Sequence, residues 1–120
     1  MQFSDAEWKI MNVLWTRDRA TARDVLEALS ETAWAYTTVK TLLTRLVEKG
    51  ALREAKQGNT SVYRTVVNRN KARGKALRAL IDKAFDGAFA PLMAHLVDHE
   101  KLSPRDRRRL QELLDADGDQ

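Results

Sequence analysis

The sequence predicts a mainly α protein: a winged helix-turn-helix of three helices and a two-stranded β-wing, followed by a C-terminal helical region. Three observations lead there. Up to Gly50 apolar residues recur every three and four positions. From Ala51 to Val67 the pattern shortens toward alternation around a turn-forming cluster. From Asn68 onward the helical period returns in three short stripes. The changes of period divide the chain into residues 1–67, the winged helix, and residues 68–120, the helical region.

Ser4 and Glu7 form an S-x-x-E capping box, in which each side chain satisfies an amide of the other's turn. Ile10, Met11, Leu14 and Trp15 follow at helical spacing and Arg17-Asp18-Arg19 ends the run, so a first helix covers about 4–16. Thr21 with Asp24 repeats the cap more weakly ahead of Val25, Leu26 and Leu29, which predicts a short second helix near 22–30. Val39, Leu42, Leu43 and Leu46 line one stripe of a third helix over 36–49, with Gly50 as its stop. Strands are expected over 51–56 and 61–67 around Gln57-Gly58-Asn59-Thr60. Asn68 caps a fourth helix carrying Ala72, Ala76, Leu77, Leu80, Ile81, Ala84 and Phe85, and Gly87 interrupts it. A fifth helix, about 88–99, carries Phe89, Leu92, Met93, Leu96 and Val97. Ser103-Pro104 opens a sixth bearing Leu110, Leu113 and Leu114.

The 120 residues include 21 Lys+Arg, 17 Asp+Glu and no cysteine, for a net charge of +4. Without cysteine, disulfide frameworks, thiolate metal sites and cysteine nucleophiles are excluded. The charge is unevenly placed. Arg53, Lys56, Arg64, Arg69, Lys71, Arg73 and Lys75 stand against Glu54 alone in residues 51–75, while the flanking segments carry no cationic excess. One basic segment in an otherwise balanced chain points to a polyanion-facing surface, nucleic acid before membrane. No apolar run approaches the roughly 18 residues of a bilayer span. The N-terminus lacks a basic region followed by an apolar one, so a cytoplasmic protein without membrane insertion is expected.

A wheel of the third helix places Thr37, Thr41, Thr44 and Glu48 opposite its apolar stripe, with Lys40 and Arg45 on the flanks. Threonine is a poor helix former, and a purely solvated face would carry more Glu and Lys. Hydroxyls and methyls bordered by cations suit the major groove, where Thr meets base edges and thymine methyls and Lys or Arg reach guanine or phosphate. Arg53, Lys56 and Arg64 on the wing suit phosphate contacts, which position a protein more than they specify sequence. Trp8 and Trp15 read as packing residues of the first helix. Tyr36 sets the entry of the third helix or touches the DNA backbone.

His95 and His99 stand four apart on the fifth helix, but two ligands fall short of a structural or catalytic metal site. No nucleophile with a base, glycine-rich phosphate loop or paired carboxylates stands out. An enzyme is therefore not expected, and neither is a metal or other cofactor. The last three helices are short and amphipathic, and together too small to bury their apolar stripes. A second copy of the chain would cover them. Leu77, Leu80, Ile81, Phe85, Phe89, Leu92, Leu96, Leu110, Leu113 and Leu114 are the expected dimerisation residues.

The chain resembles the penicillinase-repressor family, also called the BlaI/MecI/CopY family, over nearly its whole length. The likeness is carried by Ser4-Asp5-Ala6-Glu7-Trp8-Lys9-Ile10-Met11-Asn12-Val13-Leu14-Trp15, by Tyr36-Thr37-Thr38-Val39-Lys40-Thr41-Leu42-Leu43-Thr44-Arg45-Leu46 with Lys49-Gly50, and by the hairpin ending in Tyr63. The resemblance implies a homodimeric transcriptional repressor on a dyad operator overlapping a promoter, controlling β-lactam resistance or another stress response. Thr37, Thr38, Lys40, Thr41, Thr44 and Arg45 match its recognition-helix motif. It also implies a membrane-bound sensor protease as partner in β-lactam-responsive members, which are cut at an Asn-Phe bond. His95-Leu96 stands at that place here, a departure from the pattern, and the cysteines of the copper-responsive branch are absent. Two rival readings remain at this point. One is a winged-helix protein-docking module whose basic wing meets an acidic partner, and the other a small DNA-processing enzyme using carboxylates and metal.

Overall fold

The Ser4 hydroxyl accepts the Glu7 amide at 3.1 Å and the Glu7 carboxylate accepts the Ser4 amide at 2.8 Å, so the capping box closes in both directions. Helix α1, Asp5–Thr16, starts from it. Thr21 and Asp24 close the same reciprocal pair at the start of α2, Ala22–Ala28. The computed structural model describes the backbone of residues 1–99 and 102–118, and the side chains of these except 111 and 113–118. It divides into two compact units, Met1–Gly74 and Lys75–Gln120.

In the first unit α2 stops at Ala28, earlier than expected, and a 3-10 turn follows at Ser30–Thr32. Ala33 closes that turn in the left-handed region, φ 57°. Helix α3 runs Tyr36–Glu48. Its end is a Schellman motif: the Gly50 amide donates to the Val47 carbonyl and the Ala51 amide to the Leu46 carbonyl. Gly50 takes φ 83°, which side-chain-bearing residues disfavour. The chain thus leaves the helix with Ala51 and Leu52 already buried.

Strands β2, Leu52–Gln57, and β3, Thr60–Thr65, pair antiparallel from Leu52↔Thr65 to Gln57↔Thr60. Only Gly58 and Asn59 lie between the paired ends, and Gly58 has φ 65°. A two-residue hairpin turn with glycine first meets the twist of the strands. The sheet has a third strand the sequence pattern did not reveal: β1, Ala20–Thr21, pairs with β3 through Ala20↔Tyr63 and Thr21↔Val62, giving the order β1-β3-β2.

The core of this unit gathers Ile10, Met11 and Leu14 of α1, Val25 of α2, Val39, Leu43 and Leu46 of α3, and Tyr63 of β3. The stripes read from the sequence on the first and third helices are the ones buried, with Trp15 half-buried at the edge of the core. Phe3, Trp8 and Trp15 form an aromatic cluster with centroids 5.2 to 6.5 Å apart, Phe3 edge-on to both tryptophans, and the Trp15 indole donates to the Val67 carbonyl at 3.1 Å. The tryptophans of α1 are packing residues, and Trp15 fastens the exit of the hairpin.

Helix α4, Arg69–Ala84, begins with Asn68 capping the Lys71 amide at 3.1 Å. In the second unit it ends around Gly87, φ 78°, whose carbonyl receives the Arg78 guanidinium at 3.1 Å. Helix α5 is Phe89–His99. Helix α6, Pro104–Gly118, starts from Ser103, whose hydroxyl accepts the Asp106 amide at 3.0 Å. No helix among the described residues is long and apolar enough to cross a membrane.

Candidate nucleic-acid interface

Burial of the α3 stripe turns the opposite side of that helix to solvent. Thr37, Thr38, Thr41, Thr44 and Arg45 are all exposed. The Thr41 hydroxyl donates to the Thr37 carbonyl at 2.9 Å, so its proton is spent within the helix. A methyl group and an accepting oxygen remain for a partner. Unlike α1 and α2, α3 has no side-chain cap, since Ala35 holds that position. Beside this entry Arg23 of α2 lies 5.6 Å from the Tyr36 ring centroid, a cation–π contact that ties the two helices at the turn.

Lys40 differs from the other expected contacts. It is half-buried, and its ammonium donates to the Tyr63 hydroxyl at 3.1 Å while lying 5.7 Å from that ring's centroid. The Tyr63 hydroxyl in turn donates to Glu54 at 3.3 Å. The Tyr63 hydrogen bond, reinforced by the charges around it, holds the Lys40 ammonium pKa above its ordinary value despite partial burial. Ser61, then Tyr63 and the Lys40 and Lys56 charges, hold the Glu54 carboxyl below its own.

The three wing cations do not share one face. Arg53 and Arg64 stand directly opposite each other on β2 and β3, and both are exposed. Lys56 lies on the other face, opposite Ser61 and on the side of Leu52, Glu54 and Tyr63. Alternation along a strand requires this separation. Like charges directly opposite destabilise a strand pair, so the Arg53–Arg64 opposition carries a cost within the hairpin. Arg69, Lys71 and Arg73 are exposed along the first turns of α4.

Sequence reasoning missed Tyr63 and Glu54 as a bridge between wing and helix, and missed Arg23. One signal was available: a tyrosine on the core side of a strand needs a partner for its hydroxyl.

In the second unit Ile81, Leu92 and Met93 are buried, whereas Leu77 and Leu80 are 44% and 47% exposed. Phe85, Phe89, Leu96 and Leu110 are half-buried, and Leu113 and Leu114 lie outside the described side chains. The His95–Leu96 bond falls inside α5, with His95 exposed, its ring 6.2 Å from Phe85 and 4.5 Å from His99. Cutting there would require α5 to unwind. Among the described residues no three His, Asp or Glu side chains gather where they could hold a metal ion.

A trihelical core, a helix-turn-helix with an exposed threonine face and a cationic hairpin at its flank together define a winged-helix DNA-binding protein. The chain belongs to the penicillinase repressor family, whose family model matches residues 3–116. It is 30% identical over 114 residues to the methicillin resistance regulatory protein MecI of Staphylococcus aureus, covering 94% of this chain and 93% of that one. The solution structure of the DNA-binding domain of the repressor BlaI superposes with a TM-score of 0.52 at 38% identity, over 57% of this chain and 84% of that domain. The monomeric form of Bacillus licheniformis BlaI, solved in complex with the blaP half-operator, gives 0.51 at 37% identity, over 58% and 87%.

Proposed function

We propose that this protein is a homodimeric, sequence-specific transcriptional repressor of the cytoplasm that occupies a dyad operator overlapping a promoter. In this reading α3 reads base edges through Thr37, Thr38, Thr41, Thr44 and Arg45, with Lys40 at its margin. Arg53, Lys56 and Arg64 hold phosphates. The observation that carries the reading is the exposed threonine face of α3 beside the opposed Arg53–Arg64 pair, in a chain of this family. BlaI in its monomeric form binds a half-operator, which supports one winged helix per half-site here. Kinship with MecI supports β-lactam resistance, or another stress response, as the process controlled.

Genomic fragments selected by the purified protein at two salt concentrations test it, because sequence reading survives the higher salt while generic cationic binding fades. Thr41→Ala is expected to lose discrimination between a selected duplex and random DNA. Arg53→Ala is expected to weaken binding to both and lower the salt slope by about one. Selection of no consensus at either salt concentration would overturn operator recognition.

A further inference from the structure

The β2–β3 hairpin is tied to the rest of its unit by backbone pairing along β3 and by hydrogen bonds at its exit. Ala20 and Thr21 pair with Tyr63 and Val62, Val66 donates to the Ala51 carbonyl, and Trp15 donates to Val67. At the strand position that pairs with Ala20, the Lys40–Tyr63 contact is the one side-chain hydrogen bond, among the described residues, that joins α3 to the hairpin. We propose that the chain Lys40–Tyr63–Glu54 sets the position of the wing relative to α3, so that Tyr63 and Glu54 are positioning residues for operator discrimination. The inference rests on the operator-binding reading and names the device that makes its two contact surfaces act together.

Glu54 is the sole acid among residues 51–75. A carboxylate in a segment that meets phosphates weakens association, so its presence calls for a second role. It stands across the ladder from Tyr63, on the core-side face and away from Arg53 and Arg64. Tyr63 is 1% exposed, which fixes its ring, and its hydroxyl both accepts from Lys40 and donates to Glu54. Both hydrogen-bonding capacities of the phenol are therefore used, in one direction, between a helix cation and a strand anion. Lys40 precedes Thr41 directly, so the anchor sits beside the face that would read bases. Reading bases with α3 while Arg53 and Arg64 grip phosphate requires a fixed spacing between the two, and a site is only as accurate as the contacts supporting it.

The test uses the full chain with Tyr63→Phe and Glu54→Gln. Fluorescence anisotropy would follow binding to a duplex selected by the wild type and to a scrambled duplex of the same composition, at two salt concentrations. Tyr63→Phe keeps the buried ring and all charges. It is expected to lower the ratio of selected to scrambled affinity about threefold to tenfold, the equivalent of the one hydrogen bond that joins α3 to the hairpin, with scrambled affinity and salt slope unchanged. Glu54→Gln is expected to lower the same ratio while raising affinity for the scrambled duplex, because a negative charge leaves the basic segment. Simple loss of stability would reduce the active fraction and scale both duplexes alike, leaving the ratio intact. An unchanged ratio in both variants overturns the positioning role. A wild type that binds both duplexes equally overturns operator reading itself, and shows it before any substitution is made.

Discussion

Glu7 is 3% exposed, yet it carries a charge that the fold has to accommodate. The Lys49 ammonium reaches one carboxylate oxygen at 2.7 Å and also donates to the Gln2 carbonyl at 2.8 Å, closing the start of α1 onto the end of α3. Burial pushes the Glu7 carboxyl pKa up, but the Lys49 hydrogen bond, the Ser4 amide and hydroxyl and the Lys49 charge together outweigh it and leave the value below the ordinary 4.5. The capping-box half of this arrangement was legible as Ser4-x-x-Glu7, because it is local. The Lys49 half was not, because nothing local announces a partner 42 positions away. Lys49→Met leaves a buried carboxylate uncompensated and is expected to cost about 1–2 kcal/mol in urea unfolding at pH 7, less than a fully buried pair because Lys49 stays partly in water. Asp24 is also held low, chiefly by the Thr21 amide. A carboxyl with a lowered folded pKa stabilises fully above its unfolded value and loses that contribution as pH falls through the folded one. Stability is therefore expected to drop as pH falls below about 4.5, and Glu7→Gln to flatten that drop. Parallel unfolding curves for the variant and the wild type across this range would contradict the assignment.

The hairpin shows where sequence reading works and where it stops. Alternation and the Gly58-Asn59 dipeptide were enough to place two strands. The faces of those strands follow from the register, Arg53↔Arg64 and Lys56↔Ser61, which sequence alone left open. Strand β1 has two residues, too few to display a period, and exists because β3 pairs with it across more than 40 positions. The end of α2 was overextended because Leu29 continues its apolar spacing although the backbone has already left the helix. The Arg53–Arg64 opposition leads to a prediction in which stability and binding part company. Arg53→Thr removes a cross-strand repulsion and is expected to stabilise the folded protein by about 0.2–1 kcal/mol. It is also expected to weaken DNA binding and lower the salt slope by about one. Thermal unfolding and salt-dependent anisotropy on the same sample check both signs. Reduced stability together with unaltered binding would show that the pair serves the hairpin and not an anion.

Apolar surface remains uncovered in the second unit. Leu77 and Leu80 lie one turn apart on α4 with nearly half their surface in water, and Val97 on α5 is 45% exposed. Scattered exposed leucines are ordinary, but neighbouring ones on a helix that buries Ile81 beside them form a stripe. We infer that a second copy of the chain covers this stripe, consistent with an operator of two half-sites. Joining two DNA-binding units makes the second contact intramolecular, so a dimer gains affinity that neither unit has alone. Leu80→Asp places a charge where the partner would pack and is far from neutral only if that surface is covered. The variant is expected to sediment as a monomer at micromolar concentration. Its affinity for a full dyad is expected to fall by about a hundredfold or more, toward its affinity for a single half-site, because the effective-concentration gain disappears. Half-site affinity itself is expected to stay unchanged, since α3 and the hairpin are untouched. A variant that remains dimeric with full dyad affinity would exclude this face of α4 from the interface. A dyad loss accompanied by an equal half-site loss would instead place Leu80 in the folding of the DNA-binding unit.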